Sequence, residues 1–479
     1  MVKIVSLLIS LAFAFAYSSR SMEIYYHHQT RGDLTSFAQA TWNSTQGRSM
    51  QNTFNYSVHN FWGDRNAIIP ADSNIFGIHL NPILYLFVPI YSLRPHPTTL
   101  LLIQSILTAL AGYLFFLISS YLLKNQPVSL LIQISLLSYF ATVSAVLSEF
   151  HAFTLSIFFA SLFIYFYIKQ KFWAYYPTLI LFFFVQENTA LATIFFGLYL
   201  IFFTKRKLHG LITTILSITY FFLAIKLIIP FFSNYPAYIF ESAYGNPLGN
   251  NLSEIVINSI IHPDILIKQI FSPENLNYLL KLLIPLSPLV IFSPASFLVA
   301  IASLTTNLIS SSSPLKSQLM HYESIAVPFL FFSLVLGIKF FHRLPKIVPI
   351  LILTAFTLFG YKKFTSLRLN PHLIFFHEYT SLDQKIDQII TLIPPNTSVT
   401  TQDYLSGHLT NRRFLYLFPV YSEKSDYVFI ANKQSTWPLS TEEHHQIISQ
   451  LLATKNFQTV FQDNDFYLFK NLRSPMLGF

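Results

Sequence analysis

The chain contains no cysteine, which excludes disulfides and thiolate metal sites and leaves the redox compartment unmarked. Charge is scarce as well. Asp, Glu, Lys and Arg together make up 11% of 479 residues, where a soluble globular protein carries about a quarter. There is no Walker loop, GxSxG elbow, HExxH pair or dinucleotide glycine fingerprint, so the enzyme classes those motifs mark gain no support. What is present instead is apolar: 53% of the residues are hydrophobic and Phe alone occurs 50 times. That composition describes an integral membrane protein. The formal net charge of +9 follows from basic residues beside membrane spans, so no nucleic-acid partner is implied.

A span needs about 20 apolar residues. Apolar runs predict spans near 3–18, 98–122, 128–148, 152–168, 173–186, 189–204, 209–230, 277–293, 295–312, 326–341 and 346–361. The fold class expected is therefore an all-α polytopic membrane protein of about 11 transmembrane helices. The N-terminal run "MVKIVSLLISLAFAFAY" reads as a signal-anchor, because "SSRSM" is a poor cleavage site. Lys3, Lys124, Lys169, Lys171, Lys205 to Lys207, Arg343 and Lys346 fall on one side, which the positive-inside rule makes cytoplasmic. Residues 19–97 and 231–276 then form outer loops. The membrane domain spans 1–361, and 362–479 forms a separate extracytoplasmic domain.

That tail has more charge and short alternating strands. "SVTTQD", "FLYLFP" and "DYVFIA" read as strands. "STEEHHQIISQLLATKN" opens with a capping box from Ser440 to Glu443 and continues as a helix. "FQTVFQDNDFYLFKN" reads as a hairpin turning at Asp463 to Asp465. A small α/β domain results.

Candidate chemistry gathers at the outer ends of the spans. In "TRGDLTSFAQATWN", Asp33 opens a short helix whose Leu34, Phe37, Ala38 and Thr41 share one face, so the helix is placed along the membrane surface. Asp33 has two compatible readings: an N-cap for that helix, or a carboxylate that takes a proton from an acceptor hydroxyl. Glu149 and His151 in "SEFHAF" and Glu187 in "VQENTA" stand at other outer ends. They either sit in the headgroup region or share a polar site with Asp33, dividing acid and base roles or holding a divalent cation. His79 has a structural reading as well as a ligand one. Arg94 suits a lipid phosphate or a headgroup anchor. Lys316, His321, Tyr322 and Glu323 form a basic and aromatic cluster that either grips a pyrophosphate or sugar or belongs to an interfacial belt.

In order, "GDLTSFAQATWNSTQG", "HLNPILYLFVPIYSLRPHPTTLLLIQS", "EFHAF", "QENTAL", "PLGNN", "IFSPASFLVAIASLTTNLISSSS", "HYESIAVPFLF" and "IPPNTSVTTQDYLSGHLTNRRFLYLFP" resemble a prokaryotic family of multi-pass membrane proteins, DUF2079, over about residues 24 to 470. That family is similar in turn to the C-superfamily of membrane glycosyltransferases (GT-C), which take sugars from polyprenyl-phosphate carriers. The resemblance implies a GT-C-like membrane domain and inverting sugar transfer on the outer face of the cytoplasmic membrane. Asp33 matches the acidic residue of the superfamily's first outer loop, and Glu149 or Glu187 its second acidic position. Many members carry adjacent or DxD-spaced acids, whereas Leu34 and Thr35 follow Asp33 here, which leaves metal dependence open. The implied partners are the bilayer, a polyprenyl-phosphate-linked sugar and an acceptor that is a glycan, lipid or protein. Two readings from other classes stand beside this one: a transporter or flippase using Glu149 and Glu187, and a scaffold recruiting partners through its outer domain.

Overall fold

In the computed structural model, the described residues are 1–233, 235, 248–249, 251–310, 312–341, 345, 347–364 and 379–473. Arg343, Lys346 and, within "PLGNN", Pro247 and Asn250 lie outside them. The chain opens with α1 (Val2–Tyr26), α2 (Gly32–Thr45), α3 (Phe54–Trp62) and α4 (Val88–Leu93). It continues with α5 (Thr98–Leu123), α6 (Gln126–Ser138), α7 (Phe140–Ser148) and α8 (Ser156–Ile168). After these come α9 (Phe172–Phe183), α10 (Thr189–Phe203) and α11 (Lys207–Leu223). The apolar core centres on α5, which packs on α1, α6 and α8 and on the later helix Ala326–Phe340.

Between such apolar helices, polar side chains and small residues set the packing, because lipid offers no hydrophobic drive for helix association. Gln133 of α6 donates to the Ser6 carbonyl at 2.8 Å and to Ser10 Oγ at 2.9 Å, fixing α6 against α1. At the α10–α11 contact, a Cβ on Gly210 would lie 2.7 Å from the Gly197 carbonyl oxygen, so only glycine permits this approach.

The expected count of about eleven full spans is corrected. Among the described residues, four helices are long and apolar enough to cross a membrane: Val2–Tyr26, Thr98–Leu123, Lys207–Phe232 and Ile347–Phe364. The pair α6 and α7, bent by 43°, makes a fifth if it forms one span. Ala152–Ile168, Phe172–Phe183, Thr189–Phe203 and Ala326–Phe340 are apolar but shorter. Hydropathy counts apolar residues; it does not register where the backbone stops being helical. In 277–293, Pro285 and Pro288 replace a helix with 3₁₀ turns at Ile284–Leu286 and Pro288–Phe292. In 295–312 the helix stops at Ala302 and resumes only as Thr305–Ile309.

The turns after α5, α8 and α10 lie at one end of the bundle, carrying Lys124, Lys169 and Lys171, and Lys205 to Lys207. Two contacts tie these turns together: Lys169 Nζ sits 4.0 Å from the Tyr121 ring centroid, and Arg206 hydrogen-bonds Gln170. The segments that carry Asp33, Glu149 and Glu187 follow the opposite ends of α1, α7 and α9.

The tail folds as expected, into a five-stranded mixed sheet. Its strands are β1 (Val399–Thr401), β2 (Leu415–Leu417), β3 (Tyr427–Ala431), β4 (Phe457–Gln462) and β5 (Phe466–Asn471), in the order β2-β1-β3-β5-β4. β1 runs parallel to β2 and β3, while β5 pairs antiparallel with β3 and β4. Ser440 Oγ accepts from the Glu443 N–H at 3.2 Å, as the capping sequence predicts. The sheet edge docks on the first outer loop, where Thr53 Oγ1 donates to the Leu415 carbonyl and Ser57 Oγ accepts from the Leu417 N–H. Gln39 completes the joint by donating to the Arg413 carbonyl at 3.0 Å and accepting from the Thr53 N–H at 3.1 Å.

The break between α7 and α8 depends on Gln104 of α5. Its Nε2 donates to the carbonyls of Val146 (3.1 Å) and Glu149 (2.7 Å), and its Oε1 accepts from the His151 N–H (3.0 Å). Gln104→Leu strands these backbone groups in an apolar interior, at about 1–3 kcal/mol for each group left unpaired. The variant is expected to melt several degrees lower than wild type in detergent. An unchanged melting temperature would contradict this role.

Candidate functional site

The N-terminus of α2 is the point around which the acidic residues collect. Gly32 is the first helical residue, and Arg31, with φ −120° and ψ −167°, occupies the cap position without a side-chain cap. Asp33 is thus the second helical residue and not the N-cap, which corrects that expectation. The opening amides are satisfied from elsewhere in the chain. Glu149 Oε2 accepts from the Leu34 N–H at 2.8 Å and from the Arg31 N–H at 3.2 Å. The Gly32 N–H turns to the Asp403 carboxylate. A side chain at Gly32 would stand 3.0 Å from Asp403 Oδ1 and 2.9 Å from the Phe54 ring. The helix does not lie on a surface either: Leu34 through Thr41 are all buried.

Glu187 makes a parallel attachment farther along the same loop. Its Oε1 lies 2.7 Å from His79 Nδ1 and its Oε2 accepts from the Leu80 N–H at 3.0 Å. Both expected second acids therefore pin the first outer loop to ends of the bundle.

Asp33 faces two cavities. The first, about 290 Å³, lies towards the bundle and is lined by His59, His79, His151, His321, Tyr322 and Asn307 among others. The second, about 680 Å³, lies towards the outer domain and is lined by Arg31, Glu149, Asp403, Tyr404, Gln434 and Trp437 among others. Asp33, Ser36, Asn55, Val58 and Pro314 border both. A third, apolar groove of about 560 Å³ between α10, α11 and Leu252–Ile261 shares Asn188 and Thr306 with the first cavity.

Three residues singled out in the sequence meet in the first cavity. Asp33, His151 and His321 bring ligand-type atoms within 4.8 Å of one another, with the two imidazoles stacked at 3.6 Å and 13°. The donor set as arranged does not fit a divalent cation. The Phe153 N–H donates to His151 Nδ1 at 3.1 Å, so the proton of this neutral ring sits on Nε2, and neither nitrogen keeps a lone pair for a metal. Glu149 is committed to amides of α2. The cluster works as a wall of hydrogen-bond donors and acceptors beside Asp33.

The electrostatics suit an ionisable base. Burial pushes Asp33 up to about 6, against the pull of His79 and Arg31. Burial and the charge of Asp33 push Asp403 up to about 7. Glu149 is raised by burial and then by Asp33. Burial holds His59 down to about 4 and His321 down to about 3, so both rings are neutral near pH 7.

Other expected residues fall outside this arrangement. Arg94, just beyond α4, is exposed and borders none of the three cavities. Lys316 lies 3.5 Å from Glu274 and also borders none of them. The sequence reading missed Arg31, Asn55, His59, Asn307 and Asp403. Arg31 stands two residues before Asp33 in the stretch first singled out. Asp403 had no signal at all, since only folding brings it from the tail to α2.

A polytopic helical bundle with a long outer loop and a small α/β domain over its polar end defines a membrane-embedded class of protein. The chain belongs to the predicted membrane protein family DUF2079, whose model matches residues 28–468. No curated protein matches it. Among solved structures it is similar to the crystal structure of ArnT from Cupriavidus metallidurans bound to undecaprenyl phosphate. The two share 12% identity and a TM-score of 0.51, over 98% of each chain. At that identity the likeness gives the fold alone.

The raised carboxyls fix the sign of a pH effect. Asp403 is protonated in the native state at pH values where the unfolded chain has already ionised, so its contribution to stability is lost as pH rises through about 7. Buried neutral histidines such as His59 act in the opposite sense, but only below about 6.5. Asp403→Asn is therefore expected to flatten the fall in melting temperature between pH 6.5 and 8. A variant whose pH profile parallels wild type would contradict this environment.

Proposed function

We propose that the protein transfers a sugar from a polyprenyl-phosphate carrier to an acceptor hydroxyl on the outer face of the cytoplasmic membrane, by single displacement with inversion. The observation that carries this reading is that one half-buried carboxylate, Asp33, borders a cavity on each side. In a single displacement the acceptor hydroxyl touches both the base and the anomeric carbon, on the face opposite the leaving phosphate, so donor and acceptor meet where the two cavities adjoin at Asp33. The apolar groove, lined by Leu191, Phe195, Phe221 and Ile225, accommodates a prenyl tail and opens at Asn188 and Thr306 into the polar cavity. There His79, Asn307 and Tyr322 face the sugar phosphate. The acceptor enters beside Trp437 and Gln434, from the outer-domain side. The basic turns at the opposite end of the bundle support an orientation with the N-terminus cytoplasmic and the C-terminal domain outside.

In the step itself, the acceptor oxygen attacks the anomeric carbon and its proton passes to Asp33. The bond from that carbon to the phosphate oxygen breaks, and its electron pair leaves with the polyprenyl phosphate. A base near 6 is ionised at neutral pH and still basic enough to take the proton. The fold neighbour, with its bound undecaprenyl phosphate, supports the class of carrier.

Asp33→Asn preserves shape and removes the base. In lipid-reconstituted protein given a panel of labelled polyprenyl-phosphate sugars, release of carrier phosphate is expected to fall by about a hundredfold or more. The wild-type rate is expected to drop about tenfold per pH unit below about 6. Equal release by wild type and variant would remove Asp33 from the chemistry.

A further inference from the structure

A second cluster lies away from the reacting groups, where the end of α1 meets the outer domain. His28 follows α1, Asp387 stands on the helix Ser381–Thr391, and His408 sits in the turn Gly407–Leu409. Their ligand-type atoms all lie within 4.8 Å of one another. We propose that His28, Asp387 and His408 bind a divalent transition-metal ion of the zinc class, which fastens the outer domain to the membrane domain just before Arg31 and Asp33.

The tautomers set this cluster apart from the one at Asp33. His408 Nε2 lies 2.9 Å from the Tyr25 carbonyl oxygen, which can only accept, so the ring proton is on Nε2. The Nδ1 lone pair then points towards Asp387 Oδ1 at 3.8 Å. A lone pair facing a carboxylate repels it unless a cation lies between them. His28 Nε2 stands 3.4 Å from the same oxygen, long for a hydrogen bond, and His28 Nδ1 has no hydrogen-bond partner although the residue is only 4% exposed. Ligands at about 2.1 Å around a tetrahedral ion are about 3.4 Å apart, which is the scale of these separations.

Outer contacts orient the ligands as metal sites require. The Tyr25 carbonyl holds His408, and the Tyr379 hydroxyl donates to Asp387 Oδ2 at 2.8 Å, leaving Oδ1 turned to the cluster. Tyr25 also stacks on His408 at 4.1 Å and 10°. His28 holds a left-handed backbone, φ 52°, a conformation that costs energy in a non-glycine residue. The outer-domain cavity borders His28, giving room for water as a further ligand.

The test uses the full-length protein in detergent, purified without a polyhistidine tag, stripped with chelator and titrated with Co²⁺. Wild type is expected to bind about one ion per chain with visible d–d absorption, and to melt several degrees higher when loaded. Asp387→Asn and His408→Phe are expected to weaken Co²⁺ binding by at least about tenfold and to lose the thermal gain, while Asp33→Asn keeps both. Two results would overturn the proposal: wild type that shows neither absorption nor thermal gain, or absorption that survives in Asp387→Asn and disappears in Asp33→Asn. Because the wild-type readouts need no variant, a poorly folding substitution does not remove the test.

Discussion

The Glu149 carboxylate on the opening amides of α2 is the interaction on which the rest of the site depends. A helix N-terminus presents unpaired N–H groups and a partial positive charge, and a buried carboxylate is a strong partner for both. Glu149 reaches them because the backbone breaks after α7, and Gln104 holds that broken backbone by three hydrogen bonds. The same helix start is gripped from the other side by Asp403. Membrane bundle and outer domain thus converge on one turn of helix. The residue that caps neither, Asp33, is the one presented to the cavities.

This arrangement sets like charges near one another in a dry place. Burial raises Asp33, Glu149 and Asp403 alike, and the charge of Asp33 raises Glu149 and Asp403 further, so the native site does not hold all three fully ionised without cost. Glu149 and Asp403 are held by amides that favour their charged forms, whereas His79 and Arg31 favour ionised Asp33. Asp33 is the carboxyl of the three that borders both cavities, raised by burial to about 6. The two triads of His and Asp then separate by tautomer. In one, a backbone N–H occupies a ring nitrogen beside Asp33; in the other, a backbone carbonyl leaves a lone pair facing Asp387.

Much of this was legible in the sequence. Asp33, Glu149, His151 and His321 stood out as ionisable groups at the ends of apolar runs, and folding brings them together. The outer α/β domain was readable from its short strands, its Ser440 cap and its Asp-rich turn. The span count was not, because prolines at 285 and 288 interrupt a run that hydropathy sees as continuous. The cap of α2 is not legible locally: the sequence offers Asp33, while the carboxylate that accepts from the Leu34 N–H lies 115 residues away in Glu149. Arg94 and Lys316 offer the sequence only their charge, and charge does not say which way a loop turns. Asp403 and His408 belong to the tail, and only tertiary contact relates them to the first loop.

The central claim is that the carrier's head reaches Asp33 from the membrane side. The most direct measurement is a cryo-EM structure of the full chain in lipid nanodiscs with a polyprenyl phosphate added. The account predicts phosphate density in the cavity bounded by Asp33, His79 and Tyr322, with the tail running past Asn188 and Thr306 into the groove of Leu191 and Phe195. Phosphate bound in the outer-domain cavity, or a tail lying along another face of the bundle, would contradict it.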